Sequence, residues 1–444
     1  MPAARPWRAP AMNLPGPSFV TSDRAFEDRH PHVRRRWRVS GLWRYAGPGL
    51  LVSVGYMDPG NWATGIEAGS RYGFALLFVV VASGLAAMLL QWLSMRLGVV
   101  TGKSLAHLTR ERYGAASAWI LWPIAEIAII ATDVAEVLGS ALALKLLFGL
   151  PLWIGVLVTA CDTLFVLALV ARGVWKVETI ILGLVAIITT CFAIQLCLLR
   201  PDIGGIVHGL LPSAILVDPE ALYIATGIVG ATVMPHNLYL HSAIVPSRSG
   251  SGSDAKRRAI RFATIDILVS LTLATVVNGA IVALAATVFH ASSHAITGLA
   301  DAYQLLTPMT GAALASVLFG VALLASGQSA TFTGTIASQV LLEGFTDLKI
   351  PAWQRRAITR ALALLPALAG VVIGGDHSIG MLLVLTQVIL AAGLPFTVFP
   401  LIRLTSDARI MGDHATRRVP RCIAWLLLAA ITMADIWLVV GFLT

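Results

Sequence analysis

Apolar runs of about twenty residues or more recur along the whole chain, parted by short polar stretches. A run of about 20 residues is what a helix needs to cross the hydrocarbon core of a bilayer. The pattern predicts eleven spans, near 47–73, 75–99, 117–147, 152–171, 177–199, 219–246, 260–290, 309–342, 357–375, 378–402 and 422–443. Several exceed the minimum, which implies tilt or interruption.

Two spans are interrupted by sequence. The first carries Met57-Asp58-Pro59-Gly60-Asn61 in its middle. Gly60 disfavours a helix, and Pro59 lacks an amide proton and crowds the preceding turn. Broken backbone persists in lipid only where it lines a polar site or is buried by protein. A mid-membrane carboxylate such as Asp58 costs about 2.5–3.5 kcal/mol on insertion scales, which marks it as functional; a proline kink with a neutralised aspartate is the plain alternative. The sixth span reads Gly230-Ala231-Thr232-Val233-Met234-Pro235-His236-Asn237. Aligning Pro59 with Pro235 sets Asp58 over Met234 and Asn61 over Asn237. Interrupted helices five spans apart mark an inverted-repeat transporter whose substrate site lies between the breaks. An odd number of spans turns the second copy upside down. The expected architecture is an all-α polytopic membrane protein: a tail (1–45), a five-helix repeat (46–203), its inverted copy (204–403) and an appended eleventh helix (404–444).

Composition agrees. Of 444 residues, 57% are hydrophobic and 12% charged, with a mean hydropathy of +0.81; ordinary soluble domains carry about a quarter charged residues. The net charge of +9 does not point to nucleic acid, because the basic residues cluster between apolar runs. With the tail inside, the outward loops hold only Arg71, Lys145 and Arg200 of the 32 basic residues. That asymmetry predicts a cytoplasmic N-terminus and an extracytoplasmic C-terminus in the cell membrane. Residues 1–45, ending in Arg34-Arg35-Arg36-Trp37-Arg38, show no secretory signal pattern and read as a cytoplasmic tail touching lipid headgroups. Cys161, Cys191, Cys197 and Cys422 fall within apolar stretches and suggest neither disulfides nor zinc.

The breaks bring together a particular donor set. Asp58 offers an anionic oxygen, Asn61 a neutral one, and freed carbonyls near Gly55 and Ala231 add two more. Met234 adds a thioether, a soft donor useless to Na⁺ or Mg²⁺. Such a mixture suits a first-row transition metal such as Mn²⁺ or Fe²⁺, whereas Ca²⁺ prefers oxygen alone. Core packing is the other reading of Met234, but its place before a helix-breaking proline opposite Asp58 favours ligation. Gln387 either reaches the metal on closure or bonds a neighbouring helix.

A second cluster carries charge. Glu126, Asp133 and Glu136, spaced by seven and three, share one helical face. Arg355, Arg356 and Arg360 open the ninth span as natural partners. With His236 and His241 they make an acid–histidine–arginine chain of the kind a proton relay needs; buried ion pairs that merely join helices are the alternative. Asn278 is open to either a structural or a functional reading, Gly327-Gln328-Ser329-Ala330-Thr331 reads as a small-residue packing face, and Asp162 and Asp435 have no evident partner.

The Asp58-Pro59-Gly60-Asn61 block, Met234-Pro235-His236, Ala131-Thr132-Asp133-Val134-Ala135-Glu136 and Gly327-Gln328-Ser329 resemble the signatures of the Nramp divalent-metal transporters, in their bacterial proton-coupled manganese branch. The likeness runs from about residue 45 to the end. It implies a leucine-transporter-type fold with helices 1 and 6 unwound. It implies metal binding through Asp58, Asn61 and Met234 and the carbonyls of Gly55 and Ala231, with Gln387 joining in some states. It also assigns Glu126, Asp133, Glu136, His236 and the arginines at 355, 356 and 360 to a proton pathway. Gly55 stands where many members carry alanine, and Met234 argues against magnesium-transporting relatives. The expected function is proton-coupled import of Mn²⁺, and also Fe²⁺, Cd²⁺, Co²⁺ or Zn²⁺, with no enzyme activity, no bound cofactor and no obligate protein partner. A Na⁺-coupled amino-acid transporter of the same fold is the first rival, though Asp58 and Met234 fit it poorly. A membrane-embedded metalloenzyme is the second, and the chain has no HExxH motif.

Overall fold

The first predicted span is two helices rather than one. In a computed structural model of the chain, α1 (Pro48–Ser53) gives way to a single 3₁₀ turn at Gly55–Met57, and α2 (Pro59–Tyr72) starts afresh. Asp58 between them is extended, at φ −68° and ψ 166°. It caps α2, its Oδ1 accepting from the Asn61 amide at 2.8 Å, and Pro59 follows at the first helical position, where its missing N–H costs nothing. The structure describes residues 47–443 apart from 171–173, 249–252, 291–297, 311–312, 347, 349 and 376–377. The tail and its arginine run lie outside the described residues, as does the side chain of Asp162.

The chain continues through α3 (Leu77–Thr101), α4 (Leu105–Phe148), α5 (Leu152–Val170), α6 (Val174–Leu199) and the short α7 (Ile203–Gly209). The sixth span breaks like the first, into α8 (Pro219–Val233) and α9 (Pro235–Ile244). Then come α10 (Ser253–Ala285), α11 (Leu299–Thr310), α12 (Ala313–Thr346), α13 (Ala352–Gly374), α14 (Ser378–Ser406), α15 (Ala408–Met411) and α16 (Arg418–Leu443). Eight helices among the described residues are long and apolar enough to cross a membrane; the two broken helices and α5 fill the other predicted spans. The chain is an integral membrane protein.

Several boundaries differ from the sequence pattern. The third span extends back to Leu105, but Gly114 (φ 85°, ψ 171°) leaves helical geometry and divides off a polar leading segment. The eighth, read as starting at 309, begins at Ala313, because Leu299–Thr310 forms a helix of its own. The seventh ends in a π-turn over Ala286–His290.

Helix α4 packs most extensively on α12, and α14 covers both α4 and α8. Gly327 of α12 sits against Ser140 of α4, and a Cβ there would lie 2.2 Å from the Ser140 hydroxyl. The ends of α2 and α8 remote from the breaks are tied together: Arg71, paired within α2 with Glu67 at 3.0 Å, also pairs with Glu220 at 3.0 Å, and the Tyr72 hydroxyl donates to Asp218 at 2.8 Å.

The start of α1 is capped from another helix. Asp266 of α10 accepts from the amides of Gly47 (3.2 Å) and Gly49 (2.7 Å), satisfying donors that have no partner inside the helix. A six-residue helix has too few internal hydrogen bonds to persist alone. Asp266→Ala is therefore expected to cost about 1–2 kcal/mol, the range for a lost cap. It should also speed thiol labelling of a cysteine at Leu50, with Asp266→Asn intermediate. Unchanged labelling in both variants would count against the cap.

Candidate metal site

Both breaks are buried, and their polar atoms converge. Asp58, Met234 and Gln387 have no exposed surface, and Asn61 has almost none. The Asn61 amide nitrogen donates to Asp58 Oδ1 at 2.8 Å and to the Ala231 carbonyl at 2.9 Å, so one side chain bridges the two broken helices. Ala231 is in the last turn of α8, where carbonyls lack helical partners and carry the negative end of the helix dipole. A cation is favoured at that point.

Met234 joins α8 to α9 at φ 35° and ψ 108°. Left-handed backbone is uncommon for a residue with a side chain, and a following proline bars the α conformation. The strain sets the thioether beside the first break. A Cβ added at Gly55 would lie 3.2 Å from Met234 Sδ and 2.4 Å from Asn237 Nδ2. Asn237 donates to that sulfur at 3.3 Å. Glycine at 55 thus makes room for the Asn237 amide.

Gln387 of α14 is wedged between the breaks. A Cβ at Gly60 would fall 1.9 Å from its side-chain nitrogen, and one at Gly230 would fall 2.0 Å from its carbonyl. Glycine at 230 lets the backbone of α14 approach, and glycine at 60 leaves room for the Gln387 carboxamide. Gln387 Nε2 donates to Thr386 at 2.9 Å, while its Oε1 has no partner.

The carbonyls of the first break can be accounted for one by one. Met57 O takes the Trp62 indole N–H (3.2 Å) and the Ser326 hydroxyl (2.5 Å), and Tyr56 O takes Asn278 Nδ2 (2.8 Å). Gly55 O takes a long bond from the Asp58 amide, at 3.3 Å. Asp58 Oδ2, Asn237 Oδ1, Asn278 Oδ1 and Gln387 Oε1 are buried oxygens without hydrogen bonds. Four such acceptors around one spot is unusual for a protein interior and fits an arrangement that receives a cation.

The acids of α4 meet the arginines of α13 in a ladder. Glu126 bonds Arg355; Asp133 takes Arg356 Nη1 on both oxygens at 2.6 Å; Glu136 faces Arg356 at 3.6 Å and Arg360 at 3.8 Å. Arg360 also donates to the Thr159 carbonyl of α5 at 2.8 Å. His236 lies at the start of α9, where the Asp133 charge acts on it, and its Nδ1 has no hydrogen bond. His241 is placed elsewhere: its Nδ1 meets Gln91 Oε1 at 2.8 Å, and Gln91 Nε2 donates to the Tyr56 hydroxyl at 2.8 Å. The two histidines therefore belong to different networks, one beside the acids and one leading to the first break.

Tyr56, Gln91, Ser326 and Asn237 contact the site without having been singled out from sequence. Only Asn237 carried a signal, its alignment with Asn61. Asp435 keeps one buried oxygen without a hydrogen bond, and the four cysteines are unpaired thiols.

Two facing broken helices, buried within a bundle of long apolar ones, define a membrane transporter of the leucine-transporter type. The solved structure of MhsT in complex with L-phenylalanine shares that fold, with a TM-score of 0.62 at 14% identity over 89% of this chain and 97% of that one. Far greater likeness is found to the manganese transporter of Eremococcus coleocola, with a TM-score of 0.81 and 38% identity over 89% of this chain and 85% of that one. The divalent metal cation transporter MntH of Ralstonia nicotianae is 56% identical over 401 residues, 90% of this chain and 91% of the relative. The family described as Natural resistance-associated macrophage protein-like, Nramp, matches residues 49–441. The chain belongs to the Nramp family.

Proposed function

We propose that this protein imports divalent transition-metal ions, Mn²⁺ foremost and also Fe²⁺ and Cd²⁺, by alternating access, with protons moving inward alongside. As an Nramp member it is a transporter of metal ions rather than an enzyme, and the amino-acid-transporter and metalloenzyme readings fall away with that membership. The observation that carries the finer reading is the pairing of an anionic oxygen with a thioether. Asp58 turns an unbonded oxygen into a buried centre whose opposite break is strained to hold Met234 beside it. Asp58, Asn61 and Met234 bind through side chains, Gly55 and Ala231 through carbonyls, and Gln387 completes the shell. A soft donor raises affinity for Mn²⁺ or Cd²⁺ over Ca²⁺.

The ion enters a membrane that is negative inside, the cytoplasmic membrane, with the N-terminus in the cytoplasm. A divalent charge gains about 4.6 kcal/mol per 100 mV, so metal entry is downhill electrically and protons tune uptake rather than power it. Metal arriving at Asp58 displaces its proton, and His236 with Glu126, Asp133 and Glu136 passes protons on, while Arg355, Arg356 and Arg360 stay charged and steady the acids, with His241 serving the break through Gln91. The test is uptake into proteoliposomes holding an internal pH dye, across Mn²⁺, Cd²⁺ and Ca²⁺. Wild type should take up Mn²⁺ and Cd²⁺ and acidify the lumen. Met234→Ala should lose about tenfold in Mn²⁺-over-Ca²⁺ preference, the scale of one soft ligand. Unchanged preference would make Met234 packing and the site wrong.

A further inference from the structure

Asn61 cannot bind a cation in the orientation its hydrogen bonds impose. Its NH₂ group points at Asp58 Oδ1 (2.8 Å) and Ala231 O (2.9 Å), two of the oxygens assigned to the metal, and its own oxygen points away, to Asn278 Nδ2 at 3.2 Å. The acceptors dictate this: a carboxylate and a carbonyl can be satisfied only by the amide's donor side. A cation needs the opposite side, because an amide nitrogen has no lone pair to offer. Binding therefore requires the Asn61 carboxamide to turn over.

Turning Asn61 alone would bring its NH₂ against the NH₂ of Asn278, donor to donor in a buried place, where neither finds water. Asn278 is 5% exposed, and its Oδ1 has no hydrogen bond. If Asn278 turns as well, that idle oxygen accepts from Asn61, and the pair is satisfied again. The exchange also moves Asn278 Nδ2 off the Tyr56 carbonyl, which it holds at 2.8 Å, so the wall of the first break loosens as the ligand forms. The geometry points to Asn278 as a positioning residue: two coupled amides on α2 and α10 switch Asn61 from a plug that bridges the breaks into a metal ligand. A carboxamide at 278 can serve both orientations; a side chain that only accepts, or does neither, serves one or none.

The inference rests on the metal-site reading, and a double-mutant cycle on Mn²⁺ affinity separates the two. Calorimetric titration of purified Asn278→Leu with Mn²⁺ should show binding about fivefold weaker: leucine strips one bond from each orientation, but the liganded one strands the Asn61 NH₂ group, and a buried N–H without an acceptor costs more than an amide oxygen without a donor. In an Asn61→Ala background the same substitution should change affinity less than about twofold, because with Asn61 gone it removes only the bond to the Tyr56 carbonyl, which is not a ligand. An equal loss in both backgrounds, or none in either, overturns the coupling. Wild-type affinity in Asn61→Ala alone overturns the metal-site reading and the inference with it. Should Asn278→Leu not fold, Asn278→Asp takes its place: accepting only, it holds Asn61 in the ligand orientation. Tighter Mn²⁺ binding is then expected in the intact background and not after Asn61→Ala. Equal tightening in both would be the added charge acting directly, and would refute the switch.

Discussion

Asp58→Asn should lower Mn²⁺ affinity and uptake by at least about a hundredfold while leaving the protein folded. Asparagine caps a helix as well as aspartate does, so α2 keeps its start; Asp58→Ala would confound charge with cap. What disappears is the charge. Two unit charges at about 4 Å attract by about 4 kcal/mol at an effective dielectric of 20, and a divalent ion doubles that. The relief of no longer desolvating a carboxylate offsets part of it. A remainder of about 3 kcal/mol already gives a hundredfold. Titration calorimetry and flux into vesicles measure both halves of the expectation. Affinity within about threefold of wild type would mean the ion sits elsewhere.

The second large effect is on stability. Arg356→Ala strips Asp133 of its two 2.6 Å bonds and Glu136 of its nearer guanidinium, leaving two acids with no exposed surface. Breaking a buried pair by removing one partner costs about 3–5 kcal/mol, because the charge left behind has neither water nor counter-ion. For a chain of this size the unfolding temperature in detergent should fall by about 3–6 °C. Arg356→Lys should recover part of the loss, since an ammonium cannot make the forked contact. Asp133→Asn in the Arg356→Met background should recover more, because it removes the stranded charge. If Arg356→Ala melts with wild type, the ladder contributes nothing to the fold.

The sequence made the breaks legible because proline and glycine are out of place inside an apolar run, and because an acid there must be accounted for. The seven-and-three spacing of Glu126, Asp133 and Glu136 was equally plain, for it needs only the period of a helix. Order within the ladder was not: Arg355, Arg356 and Arg360 crowd one end of α13, and only its docking on α4 gives Glu126 to Arg355, Asp133 to Arg356, and Glu136 to Arg356 and Arg360 together. Nor could sequence tell that His241, five residues past His236, turns to Gln91 and Tyr56. Neighbouring histidines on a short helix diverge by rotation, and their partners come from distant segments. Asn278 and Ser326 stayed obscure for a related reason. A single small polar residue in a hydrophobic helix has no pattern, and its meaning depends on which carbonyl across the bundle has lost its partner.

One rod, α10, touches the short α1 segment at both extremities. Asp266 takes the amides at its beginning, and Asn278, twelve positions on and so about 18 Å further along the axis, takes the Tyr56 carbonyl just past its end. The segment is splinted rather than merely packed. It cannot swing outward like a door on one hinge; it must shed both attachments or carry α10 with it. Under the proposed amide switch the far attachment is the one released when an ion is coordinated, so cargo itself would unlatch the lever that lets it out.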